Sequence, residues 1–228
     1  MINAIKTKYH GIEFRSRIEA RWAVYFDLCG CEWEYEPEGF KIELYDGKTI
    51  NYLPDFLLHN VRGRNIPESG LFVEVKGVMS DFDNLKINAF TSPTCARYCP
   101  ELNKDWGGFN CKKCTISNKC PYSNLTPENE IENPLIVFSG FPKTADEVFY
   151  KIEEKGFPYS YMHIDRDYFE CFLFPEKNKS GLVTHDCGGY KYDGDWDLAN
   201  KFLSIASSVK FEQEQDKIYP LSTYCIEE

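Results

Sequence analysis

The 228-residue sequence has no apolar run near the roughly 20 residues needed to span a bilayer. Its N-terminus lacks the apolar stretch of a secretory signal, and neither internal repeats nor low-complexity tracts occur. The expectation is an intracellular, cytoplasmic protein that does not use a membrane. Basic residues are also in deficit: 26 Lys and Arg stand against 36 Asp and Glu, a formal charge of −10. Taken whole, that sign argues against a nucleic-acid-binding protein. The deficit is uneven, however. Residues 1–120 hold 16 basic and 16 acidic side chains, whereas residues 121–228 hold 10 and 20. A neutral first part can still gather positive potential on one face, so a polyanionic substrate is not excluded.

What the chain does have is apolar periodicity and cysteine. Phe14, Ile18, Trp22, Tyr25, Phe26 and Cys29 fall on one helical stripe, which predicts a helix over 14–29 ended by Gly30. Segments 33–42 and 50–58 read as extended, with a turn at Asp46-Gly47, and Leu71–Lys76 reads as a third strand. Ser80-x-x-Asp83 predicts a helix start, with Phe82, Leu85 and Ala89 on one side. After a stretch without regular pattern, Pro134–Ser139 has the continuous apolar character of a strand buried on both faces. Thr144-x-x-Glu147 marks a further helix start. Segments 161–174 and 181–184 read as strands, and a last helix follows Asp197 as N-cap, with Leu198, Phe202, Ile205, Ala206 and Val209 in its stripe. This order describes an α/β domain with a mixed central sheet.

The chemistry is concentrated in Pro54-Asp55 and Glu74-Val75-Lys76. Side chains alternate along a strand, so Glu74 and Lys76 share one face while Val73 and Val75 take the other. If the strands carrying Asp55 and Glu74 are neighbours, two carboxylates and an ammonium converge at a strand end beside Gly77. Hard cations such as magnesium take oxygen ligands, usually one or two carboxylates plus water and phosphate oxygens. A lysine two residues from a ligand can orient the attacking water or neutralise developing charge. As bland alternatives, Glu74 and Lys76 can form a solvated strand pair, and Arg15 with Glu19 an i, i+4 surface pair of a few tenths of a kcal/mol.

Asp55, Glu74-x-Lys76 and the upstream helix Phe14-Arg-Ser-Arg-Ile-Glu19-Ala-Arg-Trp22 resemble the active-site motif of the PD-(D/E)XK nuclease superfamily. The runs Tyr9–Arg17, Trp33–Phe40 and Tyr52–Phe56 are similar to small phage-encoded members. The resemblance covers about residues 9–92 and, more weakly, 134–150 and 198–212. It implies a restriction-endonuclease-like core, in a bacterial or infected host cell, that hydrolyses DNA with Mg2+ or Mn2+. Asp55 and Glu74 would hold the metal, Glu19 would complete the site and Lys76 would assist the attacking water. Arg15, Arg17 and Lys86 are candidate phosphate contacts. Two rival readings stand beside this one. One is a catalytically silent nuclease fold, such as a phage inhibitor, whose acidic C-terminal half binds a host or phage protein. The other is a nuclease acting on RNA.

The core is expected over residues 1–92 and 133–228, with residues 93–132 an inserted module. The insertion contains Cys95, Cys99, Cys111, Cys114 and Cys120, including one Cys-x-x-Cys pair. Four of these five suit a tetrathiolate site for zinc, with an iron–sulfur cluster as the alternative. Between Cys95 and Cys120 five basic residues outnumber two acidic ones, with aromatic residues interleaved. The module therefore suits a nucleic-acid contact about as well as a purely structural clip. Asp193-x-Asp195-x-Asp197 imitates the start of a calcium loop, but Leu198 replaces the required glycine and Ser204 the closing glutamate, which rejects that reading.

Overall fold

The computed structural model describes residues 4–43, 48–63, 66–91, 133–145, 147, 160–163, 168–177, 179–186 and 194–211. The two short strands β1 (Thr7–Tyr9) and β2 (Ile12–Phe14) form an antiparallel hairpin. It leads into α1 (Arg17–Leu28), which begins one turn later than the periodicity suggests because Ser16 caps it, its Oγ accepting from the Glu19 amide at 3.2 Å. Gly30, at φ +67°, ends it: the Gly30 amide donates to Asp27 O and the Cys31 amide to Phe26 O, satisfying two carbonyls of the last turn.

The strands β3 (Trp33–Tyr35), β4 (Phe40–Glu43), β5 (Thr49–Tyr52), β6 (Phe56–Leu58), β7 (Val61–Arg62) and β8 (Leu71–Lys76) follow. Then come α2 (Asp81–Thr91), β9 (Leu135–Ser139), β10 (Ser160–His163), β11 (Tyr168–Pro175), β12 (Leu182–Asp186) and α3 (Trp196–Ser208). Eight strands make one sheet in the order β3-β6-β8-β9-β10-β11-β12-β7, while β4 and β5 form a separate hairpin. The sheet is mixed, as expected: β8 with β9 and β12 with β7 are parallel, and the remaining neighbours antiparallel. The parallel β8–β9 pair joins strands from either side of segment 93–132, Glu74 lying opposite Val137.

Three expectations are corrected in detail. The two extended segments at 33–42 and 50–58 each divide between the central sheet and the β4–β5 hairpin. The segment 161–174 is two strands paired antiparallel. Helix α3 is capped by Asp195, whose carboxylate accepts from the Leu198 amide at 2.9 Å, with Asp197 inside the first turn. The Asp46-Gly47 turn, the helix expected after Thr144 and the five cysteines of 93–132 lie outside the described residues. Among the described residues, no helix is long and apolar enough to cross a membrane.

Two apolar layers sandwich the sheet. One face carries the main core, in which α1 and α3 pack Trp22, Tyr25, Phe26, Phe202 and Leu203 against Phe56, Val73, Val75, Phe138 and Phe172. The other carries a smaller cluster, in which Tyr52 of the β4–β5 hairpin and Ile87 and Phe90 of α2 cover Phe72, Leu135 and Val137. Phe82 does not join the α2 stripe as expected; it is 57% exposed, whereas Ala89 is buried. Strand alternation thus sends Val73 and Val75 toward α1, and Phe72 and Glu74 toward the hairpin and α2.

Candidate active site

Asp55 enters β6 with its backbone already fixed. Its amide donates to Val73 O at 3.0 Å, and its carbonyl accepts from the Glu36 amide at 2.9 Å. Its carboxylate Oδ2 accepts from the Val75 amide at 2.6 Å, while Oδ1 meets the Arg15 guanidinium. The antiparallel β6–β8 register, Phe56 opposite Val73, brings Asp55 alongside Glu74 and Lys76. Pro54 supplies no amide of its own at this strand entry.

Asp55 and Glu74 are each only 1% exposed. The Tyr52 hydroxyl donates to Glu74 Oε2 at 2.8 Å, and Lys76 Nζ lies 2.5 Å from Oε1. The two carboxylates are therefore treated alike. One oxygen of each is held by a neutral donor, Val75 N–H or Tyr52 O–H, and the other by a cationic side chain, Arg15 or Lys76. Lys76 is also 4.0 Å from Asp83, which Lys86 pairs at 3.0 Å. Ser80 and Asp83 cap α2 reciprocally, as their spacing predicts.

Glu19 sits at the border of the buried helix face, 6% exposed. Its Oε2 accepts from the Tyr35 hydroxyl at 2.6 Å and the Arg15 amide at 3.1 Å, and its Oε1 from Ser16 Oγ at 2.7 Å. Ser16-x-x-Glu19 is thus also a capping-box spacing, so the same carboxylate closes the start of α1 and faces the Asp55 cluster. Among the described residues, no group of three or more His, Cys, Asp or Glu is arranged to hold a metal ion. Glu19, Asp55 and Glu74 are therefore not a preformed three-carboxylate chelate.

The electrostatics follow from this crowding. Burial, then the charges of Glu74 and Glu19, push Asp55 up to about 8, against the opposing effects of the Val75 amide and Arg15. Burial alone would lower Lys76, but the Glu74 carboxylate, with smaller help from Asp55 and Asp83, more than offsets it and leaves the pKa raised. Arg15 is likewise raised, the attraction of Asp55, Tyr35 and Glu19 exceeding the cost of its burial. A proton, a guanidinium or a divalent cation would each relieve the same repulsion at Asp55. Asp55 and Glu74 lie near enough for the charge of Glu74 to act on Asp55, and a pair of carboxylates is what magnesium, which takes one or two, would use.

A pH prediction arises here. Between the ordinary aspartate range and about 8, folded Asp55 binds more proton than unfolded Asp55. Its contribution to stability is therefore complete at low pH and is lost as pH rises through that window. In metal-free buffer, thermal melts from pH 5 to 9 should show a downward contribution that Asp55→Asn removes. Parallel curves for parent and variant would contradict it.

The remaining candidates divide. Arg15 is in the cluster; Lys86 reaches it through Asp83 and stands 5.2 Å above the Phe82 ring. Arg17 lies about 200° round the helix from Glu19 and beside Arg21, whose pKa is lowered by burial and then by Arg17. Sequence patterning gave no role to Tyr35, Tyr52 or Glu36, and gave Asp83 only that of capping α2. Glu36 adopts φ +49°, which no local motif announces, and the tyrosines reach the site from separate hairpins and strands. Comparison with protein-family models, curated proteins and solved structures finds no match to this chain.

Proposed function

We propose that the chain is a metal-dependent nuclease that hydrolyses DNA phosphodiester bonds on a restriction-endonuclease-like core. The observation that carries the reading is the meeting of buried Asp55 and Glu74 with Lys76 at one end of the β6–β8 pair. Asp55 and Glu74 would hold Mg2+ or Mn2+, with Glu19 adding negative potential beside them. The bound ion would polarise the phosphate and ease deprotonation of water.

The chain's own residues have distinct tasks. The Val75 amide and Tyr52 hydroxyl orient the carboxylates without neutralising them, leaving the other oxygen of each to face a cation. Lys76, tethered to Glu74 but part-exposed, is placed to orient a water molecule or offset charge gathering on the phosphate. Lys86 and Arg15 offer positive charge to the flanking backbone. For cysteines 95, 99, 111, 114 and 120, zinc ligation, with iron–sulfur as the alternative, is proposed on spacing alone; metal analysis and the visible spectrum separate the two.

Purified protein incubated with MgCl2 or MnCl2 should cut supercoiled, linear or branched DNA, lose that activity in EDTA, and leave matched RNA intact. Cleavage of RNA alone would move the substrate to RNA. No cleavage of any substrate would favour the non-catalytic reading, in which acidic residues of the second half engage a protein.

A further inference from the structure

The cluster already holds a cation of its own at Asp55, and its attachment is uneven. Arg15 Nη2 meets Asp55 Oδ1, and its Nε lies 3.0 Å from Glu36 Oε1 and 4.0 Å from Glu19 Oε2. The backbone beneath is anchored, because the Arg15 amide donates to both Glu19 Oε2 and the Tyr35 hydroxyl at 3.1 Å. The side chain above is half in solvent: 50% exposed, against 32% for Glu36 and 2% for Asp55. The guanidinium can therefore turn outward about its own torsions while α1 stays in place, and Glu36 can retain it at the mouth.

Asp55 Oδ2 already accepts from the Val75 amide, and Oδ1 is the oxygen whose present partner, Arg15, an incoming cation can displace. Resting on the nuclease reading above, we propose that Arg15 is a cation gate. Its guanidinium occupies the metal-facing oxygen of Asp55 in the metal-free chain. It yields that oxygen when a divalent cation binds, and is then held by Glu36 where it can donate to a phosphate. Like charges cannot share Oδ1 at close range, so each displaces the other. The planar fork suits this task because it bridges Glu36 and Asp55 at once, which a lysine ammonium cannot do in the same geometry. The gate gives Asp55 a counter-charge before metal arrives, as Lys76 does for Glu74, and it sets metal affinity below what the bare carboxylates would give.

The test uses the full chain and MgCl2 alone, without nucleic acid. Calorimetric titration should show Arg15→Gln binding Mg2+ about tenfold more tightly than the parent, with Arg15→Lys between them. Its melting temperature should start lower and rise further with Mg2+. Equal or weaker Mg2+ binding by Arg15→Gln overturns the gate while leaving the metal site standing. If neither parent nor Arg15→Gln gives a binding heat that Asp55→Asn abolishes, the metal reading itself falls and the gate with it. Should Arg15→Gln not fold, the parent provides the measurement: the Arg15 Nη–H resonances, which include the donor to Asp55, must shift during the Mg2+ titration, and unmoved resonances overturn the proposal.

Discussion

Asp55→Asn is expected to yield a folded protein whose Mg2+-dependent DNA cleavage has fallen on the order of 10³-fold or more, the scale of losing an electrostatic group at a reacting centre. The substitution preserves shape. Asparagine Oδ1 can still accept from the Val75 amide, and the strand entry remains pinned through the backbone bonds to Val73 and Glu36. What disappears is a charge that burial, Glu74 and Glu19 all oppose. Its removal should therefore cost little stability, and it should raise the melting temperature increasingly as pH rises from the ordinary aspartate range to about 8. Arg15 keeps Glu36 and Glu19 as partners. Initial cleavage rates set beside thermal melts separate the two effects. A variant that cuts as fast as the parent removes Asp55 from the mechanism, and one that melts far lower makes it a structural residue.

Trp22→Ala should be the most damaging single change to the fold, costing about 3–5 kcal/mol of unfolding free energy. Trp22 is fully buried and stacks on Phe138 with ring centroids 3.8 Å apart. Phe26, Phe141, Tyr25 and Phe172 surround it, and its indole Nε1–H donates to Gly140 O at 2.9 Å. Alanine would leave a cavity among rigid rings that cannot all collapse into it, and would also leave a carbonyl without its donor. The loss is a large share of the 5–15 kcal/mol typical of a domain. Urea unfolding followed by tyrosine and remaining tryptophan fluorescence measures it. A loss under about 1 kcal/mol would show that α1 is not held to β9 by this residue. Trp22→Phe should cost less, because it keeps the stack and forfeits mainly the hydrogen bond.

Much of the architecture was legible because it depends on local pattern. The α1 stripe, the Leu71–Lys76 strand, the fully apolar Leu135–Ser139 strand and the Ser80 cap are all properties of a few adjacent residues, and each lies where its pattern places it. The α3 cap was misplaced by two residues because three aspartates compete within Asp193–Asp197, and spacing alone does not rank them. Phe82 was misassigned for a related reason. Membership of a helical stripe says which residues share a side, but the position of the β4–β5 hairpin decides which side is covered.

The candidate site divides along the same line. Sequence alone determined that Glu74 and Lys76 share a strand face, that Asp55 lies in an extended segment next to the break at Pro54, and that Glu19 borders the apolar stripe of the first helix. Those facts follow from periods of 2 and 3.6 residues. Only the tertiary structure decided which cations and hydroxyls those carboxylates meet. Arg15 reaches Asp55 across 40 positions and Tyr52 reaches Glu74 across 22, because sheet register and the docking of α1 fold distant segments onto one strand end. Burial beside Glu74 and Glu19 then makes Asp55 hold its proton far above the ordinary aspartate range, and such long-range crowding leaves no trace in any short stretch of sequence.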